Sequence, residues 1–283
     1  MLTMIILVKN EEDIIEKNIR FHAKKGVDNF IVMDNNSTDS TREILEELKK
    51  EFELTIIEEK GNNYLQSKWM TKLARIAQKK YNPKFIIPND ADEFWWCEGS
   101  LKEAIPNKAV TTVERYNFLL YEGLSNWYES IYRVENPICY PKKSQLQDDN
   151  LSIIFAKLSP KVIVKPFGLI KIKGGNHRAS HIFNFIDAML PYDKIKKYEK
   201  IKVFHYRLRS FSQFKKGIEN AKKLLQRKAS IGHHWRRWIR LLDEGKLEEE
   251  FFNNLVLKKE EIKALEKFNI VTKDERMKNC LKE

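Results

Sequence analysis

Three carboxylates lie close together in the segment "PNDADEFWW", which spans residues 88–96. Asp90 and Asp92 are two positions apart, and in an extended chain two such side chains point to the same side. Paired hard oxygens suit Mg²⁺ or Mn²⁺, which bind few carboxylates and complete their shells with water and substrate phosphates. The D-x-D-E pattern also occurs in plain solvated turns, but its place directly after the apolar run 85–87 favours a cation site.

Polar clusters follow two other apolar runs. "LTMIILV" (2–8) leads into Lys9, Asn10, Glu11 and Glu12, and "NFIVMD" (29–34) ends at Asp34, ahead of "NNSTDS". Asn, Ser and Asp are the usual residues of turns and helix N-caps, so the second cluster could simply join a strand to a helix. Asp34 precedes those capping residues, however, and its carboxylate could accept hydrogen bonds from a nucleobase N–H or a ribose hydroxyl. Neither a G-x-G-x-x-G nor a P-loop pattern is present, which argues against a dinucleotide fold and a P-loop enzyme.

The elements that must position these clusters alternate between strand and helix patterns. Apolar runs at 2–8, 29–34, 54–59 and 84–90 predict four strands, and amphipathic spacing between them predicts three helices. Such a series is typical of a mostly parallel sheet with helices on both faces. Ligands of open parallel sheets bind beyond the carboxyl ends of the strands, which is where the polar clusters fall.

The remainder of the chain is less regular. Residues 108–175 read as strands and loops, and the pattern turns helical from about 208. We therefore predict an αβ catalytic domain over 1–207 and a helical C-terminal extension over 208–283.

Composition narrows the class of protein. The chain has 283 residues, of which 42% are hydrophobic, enough to build a core. Its three cysteines form no C-x-x-C pair, which fits a reducing compartment and argues against a cysteine zinc site. No apolar run approaches the roughly 20 residues of a membrane-spanning helix. These features predict a cytoplasmic protein.

The formal net charge of +12 is concentrated in residues 191–240, which hold sixteen Lys and Arg against three Asp and Glu. Within this zone "HHWRRWIRLL" (233–242) has amphipathic spacing. Such a helix could lie on an anionic membrane at the inner face, as a peripheral contact. The alternative, a helix docked on the core by its apolar face, is favoured.

The order of motifs resembles a known family. "VKNEEDIIEKNIRFHAKKGVDNFIVMDNNSTDSTREIL" followed by "PNDADEFWW" is similar to inverting family 2 glycosyltransferases, which have the nucleotide-diphospho-sugar transferase fold of the GT-A type. "GGNHR" (174–178) and "FHYRLRSFSQFKKG" (204–217) resemble the subgroup related to glycosyltransferase family 92. The likeness covers about residues 2–100 and, less strongly, 174–217.

This resemblance implies a role for each matching position. Asn10 and Glu11 would lie near the nucleotide, Asp34 would bind the nucleobase, and Asp90 would hold the ribose. Asp92 would bind Mn²⁺ or Mg²⁺ on the diphosphate, and His205 would be a further ligand of that metal. A core histidine flanked by Phe204 and Tyr206 is an equal alternative for His205.

An inverting transfer also needs a base to deprotonate the acceptor hydroxyl. The resemblance does not extend to the region expected to supply it, so the candidates are carboxylates chosen from the sequence: Glu122, Glu129, Asp148 and Asp149. His177 follows Gly174 and Gly175 and is a candidate for acceptor contact or for the base. Of Trp95 and Trp96, we expect one in the core and one stacking on a sugar, and we assign Trp95 to the substrate.

The predicted function is metal-dependent, inverting transfer of a sugar from a nucleotide-diphospho-sugar, most simply a UDP-sugar, to a hydroxyl of a glycan or glycolipid such as lipopolysaccharide or capsule. Two other classes stay open. A nucleic-acid-binding protein would use the basic zone 191–240, but no recognised motif accompanies that charge. A nucleotidyltransferase would need a Gly-rich loop after the first strand, and "VKNEED" contains no glycine.

Overall fold

The computed structural model describes residues 1–61, 65–138, 153–184, 190, 194–226 and 233–282. Within these ranges the chain folds as two compact units. The first comprises residues 1–115 and 159–205, and the second comprises 116–158 and 206–283. The chain passes between the units three times, and the sequence-based boundary at 207 lies close to the third crossing, after His205. Residues 116–158 group with the C-terminal helices rather than with the αβ part.

The first unit is built on a mostly parallel sheet, as the sequence predicted. Strand β1 (Leu2–Val8) pairs in parallel with β2 (Asn29–Asp34) and with β4 (Phe85–Asp90), and β2 pairs in parallel with β3 (Leu54–Glu58). Two antiparallel strands, β6 (Val110–Val113) and β9 (Lys161–Val164), complete the order β3-β2-β1-β4-β9-β6. The apolar runs are continuous because these strands are buried on both faces.

Helices cover this sheet. They are α1 (Ile15–Lys24), α2 (Thr41–Glu51), α3 (Gln66–Tyr81) and the short α4 (Leu101–Ala104). Met70, Leu73 and Ala77 of α3 pack with Ile5 and Ile31 of the sheet, and all five are at most 1% exposed. The apolar face of each amphipathic helix thus decides which way it lies on the sheet.

Two smaller strand pairs stand beside the main sheet. Strand β5 (Glu93–Trp96) pairs antiparallel with β12 (Lys202–His205), placing His205 opposite Glu93. Strand β10 (Leu169–Ile172) pairs antiparallel with β11 (Ala179–His181). The first pair carries His205 and the two tryptophans that the sequence marked as functional, and the turn that joins the second pair carries His177.

The second unit has its own apolar core. Its strands are β7 (Arg115–Asn117, which begins at the last residue of the first unit), β8 (Tyr132–Val134) and β13 (Val271–Lys273), and its helices are α5 (Phe211–Gln226), α6 (His233–Asp243), α7 (Leu247–Glu250), α8 (Lys259–Lys267) and α9 (Arg276–Lys282). Strand β8 pairs with β13, and Val134 and Ile154 pack with Phe214 and Phe251. These contacts explain why the middle of the chain groups with the C-terminal helices.

Helix α6 contains the amphipathic segment that the sequence offered as a membrane contact. Trp238 and Ile239 are only 3% and 7% exposed within the core of the second unit, and Arg237 forms an ion pair with Glu250. The structure thus shows the docked alternative for the apolar face of this helix. Each helix in the described ranges is too short or too polar to cross a bilayer.

Candidate active site

The polar clusters meet at the carboxyl edge of the main sheet. Val8, the last residue of β1, pairs with Asp34, and Leu7 pairs with Asp90. Since β1 lies between β2 and β4, the chain segments that leave these three strands are neighbours. The convergence expected from the sequence is therefore present for Asn10, Asp34 and Asp90.

The loops after β1 and β2 are tied together around Asp34. This carboxylate is 4% exposed, and its Oδ1 accepts hydrogen bonds from the Ser37 backbone N–H at 3.0 Å and the Ser37 hydroxyl at 2.6 Å. The Ser37 hydroxyl accepts from the Asn10 N–H at 3.0 Å, and Asn10 Oδ1 accepts from the Thr38 N–H at 2.8 Å. Glu11 is held by its backbone N–H, which donates to the Thr41 hydroxyl at 2.8 Å. These hydrogen bonds fix the two loops against each other. We call the cluster of Asn10, Glu11, Asp34, Ser37, Thr38 and Thr41 the cradle.

The acidic turn between β4 and β5 brings two predicted metal ligands together. His205 Nε2 lies 3.1 Å from Asp92 Oδ2, and the ligand atoms of Asp92, Glu93 and His205 all lie within 4.8 Å of one another. This spacing is the scale of one coordination sphere, and two carboxylates with an imidazole suit Mn²⁺.

Glu93 is the third member of this cluster. It is completely buried, and within the described part of the chain its Oε2 has no hydrogen-bond partner. A buried carboxylate oxygen without a partner is costly, and a cation beside it would remove that cost. The residues present therefore fit a divalent ion.

Asp90 and Glu93 share an ion-pair partner, a lysine that the sequence does not mark. Lys161 on β9 is completely buried, and its ammonium donates to Asp90 Oδ2, to Glu93 Oε1 at 2.9 Å and to the Gly175 carbonyl at 2.8 Å. Arg115 donates to the same Glu93 oxygen at 2.7 Å. Nothing in "SPKVIVK" marks this lysine, because only the strand pairing brings it to the carboxylates.

Burial and the neighbouring charges move the pKa values of Asp90 and Glu93 in opposite directions. Burial raises the pKa of the Asp90 carboxyl, and repulsion from Glu93 and Asp92 adds to the rise, while Lys161 opposes it. For Glu93, burial acts upward, but attraction to Lys161, Arg115 and His205 outweighs it and holds the pKa below its usual value. Glu93 is thus charged and compensated at neutral pH.

A ring of buried polar side chains supports the acidic turn from below. Asn18 on α1 donates through Nδ2 to the Ala91 and Glu93 carbonyls, each at 2.8 Å, and its Oδ1 accepts from Asn89 at 3.1 Å. His22, one helical turn later, accepts from the Trp95 backbone N–H at 3.0 Å. Burial lowers the pKa of His22 to about 3, so it is neutral. Two polar residues four apart on an otherwise apolar helix face were the signal for this network.

The "GGNH" turn between β10 and β11 reaches the same carboxylates. Asn176 Nδ2 donates to Asp90 Oδ1 at 3.0 Å, and Gln66 on α3 donates to that oxygen at 3.3 Å. Gly175 has a φ of +71°, and a Cβ there would lie 2.4 Å from the His177 ring. Glycine is therefore required by both the backbone and the space.

His177 lies in this turn with its Nδ1 2.9 Å from the Pro160 carbonyl, to which it donates. Burial lowers its pKa to about 3, and the nearby charges of Lys161 and Arg115 add to the effect. A group with that pKa takes up a proton poorly at neutral pH, which disfavours His177 as the base. Acceptor contact by His177 stays a prediction.

The two tryptophans after the acidic turn differ in exposure. Trp95 is completely buried and donates through Nε1 to Asn89 at 2.9 Å, so it occupies the core and presents no face to a sugar, while Trp96 keeps partial exposure.

Glu122 is exposed in the second unit and accepts from the Lys259 N–H at the start of α8 at 3.1 Å. Asp148 and Asp149 lie outside the described residues. Their roles as base stay predictions.

The fold is mixed αβ and of the GT-A type. Its mostly parallel sheet carries the polar cradle, the acidic turn and His205 at its carboxyl edge, where ligands of such sheets bind. The sequence profile of glycosyl transferase family 2 matches residues 3–157, more than half of the chain. The chain therefore belongs to glycosyl transferase family 2, which confirms the predicted family and the enzyme class, a glycosyltransferase. The profile does not resolve the subgroup.

No curated protein matches the sequence. Among solved structures, S. aureus TarS 1-349 in complex with UDP-GlcNAc is similar with a TM-score of 0.40 and 16% identity, covering 98% of this chain and 82% of that one. For a longer TarS chain the TM-score is 0.33 at 18% identity, over 58% of this chain and 28% of that one. Glucosyl-3-phosphoglycerate synthase from Mycobacterium tuberculosis, in complex with Mn²⁺, UDP and glucosyl-3-phosphoglycerate, gives a TM-score of 0.33 at 16% identity, covering 59% of this chain and 57% of that one.

Proposed function

We propose that this protein is a metal-dependent, inverting glycosyltransferase that uses a nucleotide-diphospho-sugar donor, with UDP as the nucleotide. The observation that carries the proposal is the meeting of Asp92, Glu93 and His205 within 4.8 Å, beside Asp90 and on the same sheet edge as Asp34. The family assignment supports sugar transfer, and the carboxylate–imidazole set supports a divalent ion.

The donor's nucleoside would bind in the cradle. Asp34, fixed by Ser37, would accept a hydrogen bond from the base, and Asn10 and Glu11 would line the same wall. Asp90, held by Asn176 and Lys161, would meet the ribose. Because the cradle is ordered by its own hydrogen bonds, binding would cost little reorganisation.

The diphosphate would lie at the acidic turn. Asp92, Glu93 and His205 would hold Mn²⁺ or Mg²⁺, which supplies charge neutralisation for a departing diphosphate. Lys161 and Arg115 would keep Glu93 charged and fixed in place. The buried ring of Asn18, Asn89, His22 and Trp95 would hold the backbone of the turn, so that its side chains need no rearrangement during the reaction.

Inversion requires the acceptor hydroxyl to attack the anomeric carbon from the face opposite the leaving diphosphate, with a base to take its proton. Asp148 and Asp149 are our first candidates and Glu122 is the next. The acceptor would be a glycan or glycolipid of the cell envelope. The subgroup related to family 92 and a cytoplasmic location remain part of this proposal.

A thermal-shift screen tests the donor. We expect one sugar nucleotide among UDP-, GDP-, CMP- and dTDP-sugars to raise the melting temperature, and Mn²⁺ to enlarge that shift, because a ligand of the native state stabilises it by mass action. A UDP-sugar should give the largest rise. No shift with any donor, in the presence or absence of Mn²⁺, would overturn the proposal, and a larger shift with another nucleotide would correct the donor alone.

A further inference from the structure

An exposed apolar surface stands at one end of the β10–β11 pair. Phe167 is 70% exposed and Phe183 is 64% exposed, with Ile170 at 49% and Ile182 at 39% beside them. We call these four residues the hairpin patch. Scattered exposed apolar residues are ordinary, but a contiguous group of this kind marks a surface that meets something apolar.

A backbone hydrogen bond and a ring contact hold the hairpin patch in a defined conformation. The Ile182 N–H donates to the Gly168 carbonyl at 2.9 Å, and the two phenylalanine rings that flank this bond stack with centroids 6.2 Å apart. Gly168 has a φ of +90°, and a Cβ there would lie 2.6 Å from the Ile182 side chain. The turn therefore holds the apolar side chains together at the surface.

The strands behind the patch are anchored to the first unit. Ile172 and Ala179 are buried in its core, and the Ile172 N–H donates to the Thr71 hydroxyl of α3 at 3.0 Å. The patch is thus a rigid projection on a firm base, which lowers the entropic cost of docking it.

The surroundings of the patch are positively charged. Residues 157–184 include six Lys and Arg and contain no Asp or Glu. Lys165, Lys171 and Lys173 flank the apolar side chains along the chain, and among the described residues none of the three has a carboxylate partner. Lysines beside exposed aromatic residues are the pattern of proteins that lie on anionic lipid surfaces.

We propose that the hairpin patch docks on an anionic membrane surface, with Phe167 and Phe183 entering the headgroup boundary and the lysines meeting lipid phosphates. Self-association through the same surface is disfavoured, because a two-fold interface would bring together two copies of one surface that carries Lys165, Lys171 and Lys173. The contact thus falls on β10–β11 and not on α6, whose apolar face is packed in the second unit.

The hairpin patch would bring a membrane close to the donor site, a role that rests on the proposed glycosyltransferase function. The turn at the other end of the same strand pair carries Asn176, which donates to Asp90. Strand β10 has four residues, so it spans about 13 Å at roughly 3.3 Å per residue. A membrane held at the hairpin patch would present a lipid-linked acceptor near the donor site.

Vesicle co-sedimentation tests the proposal. The wild-type chain should bind vesicles of phosphatidylcholine with about one third phosphatidylglycerol, bind pure phosphatidylcholine weakly, and lose affinity as salt rises. The double change Phe167→Ser with Phe183→Ser should weaken binding about tenfold or more, because each buried phenylalanine contributes apolar area. Phe268→Ser is the matched control, since Phe268 is 73% exposed in the second unit and should leave binding unchanged.

The possible outcomes separate this inference from the proposed function. Equal vesicle binding by the double variant and the wild type, or no binding by the wild type, overturns the membrane surface. A wild-type dimer that becomes monomeric in the double variant, measured by sedimentation velocity, replaces the membrane with a second copy of the chain. The UDP-sugar should raise the melting temperature equally in the wild type and in the double variant. If it raises neither melting temperature, the result counts against the proposed donor site and not against the membrane surface.

Discussion

At the scale of single residues, the candidate site depends on side chains that act through others. Asp92 and His205 can be named from a motif, but the acidic turn that carries Asp92 is held by Asn18 and His22, which face it from α1. Lys161 compensates Asp90 and Glu93 although no motif marks it. Long-range contacts of this kind link positions about seventy residues apart, so sequence spacing does not reveal them.

Replacing Asn18 tests this support. Asn18→Leu would leave the buried Ala91 and Glu93 carbonyls without donors, and each such group costs about 1 to 3 kcal/mol. We expect a loss of about 2 to 5 kcal/mol in the free energy of unfolding, measured with urea, together with weaker Mn²⁺ binding.

Thr3→Val is the control for Asn18→Leu. Thr3 is buried at the amino end of β1, away from the ligand edge, and its hydroxyl donates to Asn29. This variant should lose stability and keep its Mn²⁺ affinity. If Asn18→Leu also kept full Mn²⁺ affinity, the network would be structural only.

At the scale of elements, the strand–helix alternation was readable because burial on both faces makes parallel strands continuously apolar. The four parallel strands, the helices between them and the polar clusters at strand ends all followed from this pattern. The pairing of β5 with β12 and of β10 with β11 did not, because a pairing between short strands that lie far apart or across a turn leaves no mark in the periodicity of either strand. Those pairs deliver His205 and Asn176 to the acidic turn.

The "GGNH" turn gives a prediction at this scale. Gly175→Ala would force a side chain into a positive-φ position and against the His177 ring, costing about 1 to 3 kcal/mol and displacing Asn176 from Asp90. We expect a lower melting temperature and a higher KM for the donor.

Its neighbour supplies the control. A Cβ on Gly174 would meet nothing within 4 Å. Gly174→Ala should therefore change stability by less than about 1 kcal/mol and leave KM unchanged. Equal behaviour of the two alanine variants would show that the turn does not position Asp90.

At the scale of the whole molecule, the division into two units cannot be read from local sequence patterns. Residues 116–158 belong to the second unit because β8 pairs with β13, some 140 positions later. A buried ion pair between Arg133 and Asp274 also links these two parts of the second unit. Composition and periodicity report local structure, and a pairing across such a distance is decided by packing. The order of motifs, by contrast, was enough to identify the family, since each motif directly follows a strand along the chain.

The central claim is that the edge of this sheet binds a nucleotide diphosphate together with a divalent ion. Calorimetric titration of UDP with and without Mn²⁺ tests it most directly, in the wild-type chain, in Asp92→Asn and in Glu47→Gln, a control on the exposed face of α2. We predict that Mn²⁺ tightens UDP binding about tenfold or more in the wild type and the control, and that Asp92→Asn loses this gain. Equal UDP affinity with and without Mn²⁺, or a full gain in Asp92→Asn, would contradict the account.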